Sequence, residues 1–226
     1  MEKNSQNMKN VCMIPIRSGS QRLKRKNYLK INKTHIFEIA IIKAIKSQKF
    51  DDIYINSEDK KLEKFAKKYK VKFYLRDKKL ASSETTSDEV VLDFMNKTNY
   101  EKLFWINTAS PLSTKEDIIN FVNIFSNQKK FKSAISVNSK KIHTLIDGRP
   151  LNFSWNQPFS QTQKLKQVSL FNYSIMAWDY DFMPKLKKRV LFDKNSKLIE
   201  TSFLSSILLK NKNDFIIIKS LMDKLL

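Results

Sequence analysis

The chain has 226 residues, 43 Lys+Arg against 22 Asp+Glu, and a formal charge of +21. With 41% hydrophobic residues and 16 Phe it can bury a sizeable core, which excludes a disordered chain, and its one Cys excludes a disulfide scaffold. No apolar run approaches the roughly 20 residues of a membrane span, and the polar start MEKNSQNMKN lacks the apolar centre of a secretion signal, so a soluble cytoplasmic protein is the expectation.

The elements alternate along the chain. Val11–Ile16 predicts a strand that enters a polar, basic loop at Arg17–Asn27. Phe37, Ala40, Ile41, Ala44 and Ile45 fall at helical spacing. Asp52–Asn56 reads as a strand, Leu62, Phe65, Ala66 and Tyr69 as one helix face, and Val71–Leu75 as the next strand. Asp88–Met95 reads as a helix and Leu103–Ile106 as a strand. Ser113-x-x-Glu116 has the form of a capping box, ahead of Ile118, Phe121, Val122 and Phe125 on one helix face. Ser133–Val137 is a further strand. Strand–helix alternation of this kind implies βαβ units and a mostly parallel sheet covered on both faces. Ligands then bind beyond the carboxyl ends of the strands. The places to look are Arg17–Asn27, Ser57–Asp59, Arg76–Ser87 and Asn107–Ser113.

After Val137 the pattern changes. Asp147-Gly148-Arg149-Pro150 is a turn signal between short extended runs, and Trp155–Lys166 is polar and irregular. Phe171–Trp178, Val190–Phe192 and Leu198–Ile199 read as strands, and Ile218, Leu221, Met222 and Leu225 mark a final helix face. The chain is expected to be one domain over 1–226, with an insert at about 140–170 forming a small lobe or a dimer contact.

The first loop is the most informative stretch; by itself it reads either as a phosphate site or as a solvated surface loop. A Ser18-Gly19-Ser20 turn lets backbone N–H groups approach an anion, and Arg17 and Lys26 bracket it. Neither the P-loop pattern nor G-x-G-x-x-G is present. The Lys excess is spread along the chain with much Asn, Ile and Phe, as codon drift towards A/T produces. A basic surface for an anionic partner is the alternative, and a nucleic-acid binder rests on charge alone. Cys12 reads as a buried strand residue, and His35 and His143 have no metal-ligand neighbours at the right spacing. Glu58-Asp59 reads as a solvated helix start.

Ile14–Asn27 fits I-P-A-R-x-G-S-K-x-x-x-x-K-N at the same spacing. Phe50–Asp59 is similar to F-D-x-I-x-V-S-T-D, and Leu75-Arg76 with Leu80-Ala81-Ser82 is similar to L-R-P-x-x-L-A-S-D-T. Ile106–Leu112 is similar to L-Q-P-T-S-P-L, and Phe171–Ile175 stands where N-G-A-[IF]-[YF] would. Together these resemble the acylneuraminate cytidylyltransferase family, the CMP-sialic acid synthetases. The resemblance implies a Rossmann-like, three-layer nucleotide-diphospho-sugar transferase fold with an inserted dimerisation lobe. It also implies a reaction in which a sialic-acid-like (nonulosonic) sugar acid takes CMP from CTP and pyrophosphate leaves, with Mg²⁺ as cofactor and a homodimer as the assembly.

On that resemblance Arg17 and Lys26 are the catalytic cations. Arg17, Ser18, Gly19, Ser20, Lys26, Asn27, Arg76, Ala81, Ser82 and Asn107 bind the nucleotide, and Asn107, Ser110, Gln163 and Asn172 face the sugar. The departures cluster on the sugar and metal side. Gln161-Thr162-Gln163-Lys164-Leu165 replaces R-T-Q-D-L, Leu170 replaces an Arg, and Tyr173 replaces a Gly. The family's Asp-x-Asp before the last helix becomes Leu208 and Lys210, which leaves Asp193 and Glu200 as the carboxylates to consider for a metal. A catalytically silent nucleotide-binding homologue is the alternative these departures motivate.

Overall fold

A computed structural model describes residues 9–21 and 23–225; the N-terminal stretch before residue 9, Arg22 of the first loop and the side chain of Leu225 lie outside the described residues. The order is β1 (Asn10–Pro15), β2 (Lys30–Ile31), β3 (Thr34–His35), α1 (Ile36–Ser47), β4 (Asp52–Ser57), α2 (Glu63–Tyr69), β5 (Lys72–Leu75), α3 (Ser87–Lys97), β6 (Lys102–Ile106) and α4 (Lys115–Ser126). It continues with β7 (Ser133–Lys140), β8 (Leu145–Ile146), β9 (Arg149–Pro150), β10 (Val168–Asp179), α5 (Met183–Leu186), β11 (Lys197–Glu200) and α6 (Lys212–Leu225).

The main sheet has seven strands in the order β11-β7-β10-β6-β1-β4-β5. β1, β4, β5 and β6 pair in parallel, as do β7 and β11, while β10 is antiparallel to both of its neighbours. Alternation along β1 sends Cys12 and Ile14 to one face and Val11 and Met13 to the other. On the first face Phe37 and Ile41 of α1, Ala66 of α2, and Phe121 and Phe125 of α4 complete the core. On the second, Val91 and Phe94 of α3 and Leu186 of α5 do so, around Trp178. Each fully buried Phe or Ile contributes about 2 kcal/mol of apolar transfer.

The chain runs outward from β1 to β4 and β5, then returns to β6 on the other side of β1. Right-handed crossovers place α1 and α2 on one face and α3 on the other when the direction of travel reverses. That reversal opens a crevice at the carboxyl ends of β1 and β6.

Two local expectations differ from the structure. Val190–Phe192 is no strand: the Leu191 carbonyl accepts the Trp178 indole N–H at 2.8 Å and Phe192 stacks on the same ring, so the run closes the core without entering a ladder. The cap of α4 lies one residue later than the pattern suggests, with Thr114 and Asp117 as the capping box. Ser113 instead donates to the Ser110 carbonyl at 2.9 Å.

Candidate active site

A cleft of about 210 Å³ opens at the carboxyl ends of β1, β5 and β6. From the first loop Arg17, Gly19, Ser20, Lys26 and Asn27 line it, from the stretch after β5 Arg76, Leu80, Ser82 and Thr85, and from the start of α3 Thr86 and Ser87. Trp105 and Thr108 form the wall at β6. A Cβ built at Gly19 meets no atom within 4 Å, so the glycine leaves its side of the cleft open to close approach by a ligand. The start of α3 is closed by a Thr86–Glu89 capping box, and its first turn carries Asp88 and Glu89.

Internal bonds hold the loop in this shape. Arg17 donates from Nη1 to the Ser82 carbonyl at 2.7 Å, spanning the cleft from one loop to the other. The Asn27 amide donates to the Arg17 carbonyl at 2.9 Å and its Oδ1 accepts the Thr108 hydroxyl at 2.8 Å, tying the loop to the end of β6. Asn27 is therefore a brace as well as a wall residue.

Beneath the loop lies Glu58. Its Oε1 accepts the Ser18 amide N–H at 2.8 Å and the Ser18 hydroxyl at 2.5 Å. Its Oε2 accepts Arg76 Nη2 at 2.7 Å in an ion pair whose side chains are 9% and 3% exposed. Burial works to raise the Glu58 pKa, but the Ser18 hydroxyl, its N–H and Arg76 outweigh it, and the carboxyl stays below the usual glutamate range. Glu58 thus neutralises part of Arg76, while Arg76 Nε is buried with no hydrogen-bond partner in the protein. The sequence alone reads Glu58 as a solvated helix start; the signal for its role is its place directly after β4, in the Ser57–Asp59 stretch at the ligand end of the sheet.

The remaining expected residues fall into two groups. Ser82 lines the cleft and Ala81 sits beside it without lining it. Ser18 spends its hydroxyl on Glu58. Asn107 donates to the Tyr173 carbonyl at 3.1 Å and accepts the Ala109 N–H at 2.9 Å, next to the cleft but outside its lining. Ser110 is buried and donates to the Ser205 carbonyl at 2.7 Å. Gln163 is exposed on the insert, its carbonyl accepting Lys141 Nζ at 2.8 Å.

Asn172 belongs to a network that the β10 bulge requires. The register of β10 on β7 shifts between Phe171 and Met176, and Tyr173 turns through φ 54°. The buried N–H groups left over need acceptors. Ser174 N–H bonds Asn172 Oδ1 at 3.1 Å and Ile175 N–H bonds the Ser136 hydroxyl at 3.0 Å. Ser136 donates in turn to Asn172 at 2.5 Å, and Asn172 donates to the Thr201 hydroxyl at 2.8 Å.

The carboxylates do not fit a protein-held divalent ion at the cleft. Asp193 precedes β11, at the end of the sheet away from the cleft, and is paired with Lys185. Glu200 is at the correct end but on the edge strand, roughly 19 Å from β1 at ordinary strand spacing, where it accepts the Ser139 N–H at 3.1 Å. Asp59 accepts the Tyr28 hydroxyl, and Asp117 holds Thr114, Ser202 and Ser205. Asp214 caps α6 by accepting the N–H groups of Lys210 and Asn211 at 2.8 and 2.9 Å. Glu84 is exposed on the loop after Ser82. Among the described residues no three His, Cys, Asp or Glu side chains converge as a metal group.

Residues 11–207 match the family described as cytidylyltransferase. The pseudaminic acid cytidylyltransferase of Campylobacter jejuni is 32% identical over 132 residues, 55% of this chain and 56% of that one, so the chain spans about half the length of this relative. The post-translational flagellin modification protein B of Campylobacter coli is 26% identical over 223 residues, covering 93% and 94% of the two chains. Among solved structures, a CMP:2-keto-3-deoxy-manno-octonic acid synthetase complexed with CTP superposes with a TM-score of 0.72 at 14% identity, covering 96% of this chain and all of that one, a likeness of fold. The family match runs from β1 to beyond β11, through both loops that build the cleft, and the chain belongs to the cytidylyltransferase family.

Proposed function

We propose that the chain transfers the cytidylyl group of CTP to a hydroxyl of a sialic-acid-like (nonulosonic) sugar acid, giving a CMP-sugar and pyrophosphate. The observation that carries the reading is the convergence of Arg17, Lys26 and Arg76 on one cleft beside the open face of Gly19. The acceptor oxygen forms its bond to the α-phosphorus as the bond from that phosphorus to the β-phosphate bridge breaks; the electrons leave with pyrophosphate and the hydroxyl proton passes to solvent. Such transfer depends on positioning and charge neutralisation. Arg17 and Lys26 hold the triphosphate, and Gly19 and Ser20 give close contacts. Arg76 and Ser82 face the nucleoside, and Ser18, Asn27 and Glu58 keep the loop in place. Asn107 and Gln163 are the residues on the acceptor side. The family resemblance implies Mg²⁺, which as a Lewis acid would offset phosphate charge, but the carboxylates described above do not form its site, and no step is assigned to it.

The assembly on this reading is a homodimer through the insert, supported by exposed Ile146, Leu151, Trp155 and Phe159 around the β8–β9 hairpin. A cytoplasmic location accords with a free, buried Cys12 and with no described helix being long and apolar enough to cross a membrane. Pyrophosphate release from CTP, followed across a panel of nonulosonic acids, tests the reaction. Turnover with one of them is the expected result. CTP binding with no turnover across the panel would reduce the chain to a nucleotide binder.

A further inference from the structure

The positions where the resemblance places metal-holding carboxylates lie against the cleft's own loop. Leu209 donates its N–H to the Ala109 carbonyl at 2.7 Å and is fully buried, so the segment is anchored one residue beyond the wall residue Thr108. Leu209 joins Ile31 and Ile36 in a third apolar cluster, against which Leu23 of the first loop and Leu29, just before β2, pack. Segment 207–210 therefore backs the loop that carries Lys26. On either side of Leu209, Leu208 is half-buried and Lys210 exposed. Lys210 engages Asp214 only through its backbone N–H, and among the described residues its ammonium has no ion-pair partner.

We propose that this chain neutralises a bound nucleoside triphosphate with its own cations, Arg17, Lys26 and Lys210, in place of a divalent ion held by protein carboxylates. The proposal rests on the CTP reading above. Free CTP carries more negative charge than CTP with a bound divalent cation, so a site built from ammonium and guanidinium groups accepts the free form at least as well. A site built around a metal loses most of its affinity when the metal is withdrawn.

The test is calorimetric titration of the full chain with CTP, once in excess EDTA and once in excess Mg²⁺. The Kd in EDTA is expected to lie within about three-fold of that in Mg²⁺. A loss of about ten-fold or more in EDTA overturns the proposal and leaves the CTP reading intact. Lys210→Asp is expected to weaken CTP about ten-fold in EDTA, with Mg²⁺ restoring much of it, and Lys210→Met to fall between. The side chain is exposed and the helix cap uses the backbone, so both variants should melt like the parent. Unchanged affinity of Lys210→Asp in EDTA removes Lys210 from the site and overturns its assignment. No CTP binding by the parent chain in either buffer defeats the CTP reading and this proposal together.

Discussion

At the carboxyl ends of β1 and β5, polar residues face a shared space: Arg17, Ser20, Lys26, Arg76 and Ser82 all line the cleft. Around β10, residues of similar chemistry face each other: Ser136, Asn172, Ser174 and Thr201 bond among themselves and to the bulged backbone. The difference follows from topology. Parallel strands send their connections off at one end, where loops can hold side chains towards a ligand without feeding a ladder. An antiparallel strand with a register shift strands buried N–H groups, and nearby amides and hydroxyls must answer them. The first half thus offers part of its polar set to the cleft, with Ser18 and Ser110 spent on internal bonds, while the bulged second half spends its set on itself.

The largest effect expected from breaking this contrast is in the buried ion pair. Arg76→Ala leaves Glu58 charged and buried, and should lower unfolding free energy in denaturant titration by about 4 kcal/mol. Arg17→Glu puts a carboxylate into the cleft and should weaken CTP by about 100-fold in calorimetry, with thermal stability little changed. Asn172→Ala, in the other half, should do the reverse: about 2 kcal/mol less stability, with CTP affinity within about two-fold of the parent. A large loss of CTP affinity there would return Asn172 to the binding surface. The smallest effect is in acid. Because the folded Glu58 carboxyl lies below its ordinary value, it stabilises the fold above the glutamate range, and that stability is lost as pH falls from about 4.5 downward through the folded value. Glu58→Gln should flatten this part of a stability–pH profile.

The fold was legible because β1, β4 and β6 are short apolar runs separated by amphipathic helices. The phosphate-side loop was legible because Ser18-Gly19-Ser20 with flanking cations follows the first strand. What stayed hidden were pairings across long sequence distance. Glu58 meets Ser18 from 40 residues away and Arg76 from 18, so its neighbours in sequence show only polar, charged surroundings. The bulge in β10 could not be read from Asn172-Tyr173-Ser174, since the left-handed turn falls on Tyr173, a residue that ordinarily avoids it. Ser110 and Asn172 looked like ligand contacts for the same reason that they serve as internal donors: a hydroxyl and an amide suit either task.

A crystal structure of the chain grown with CTP tests the central assignment most directly. The account predicts phosphate oxygens within about 3 Å of the Arg17 guanidinium, the Lys26 ammonium and the Gly19 N–H. Nucleotide bound elsewhere, with Arg17 still resting on the Ser82 carbonyl and the cleft empty, would contradict it.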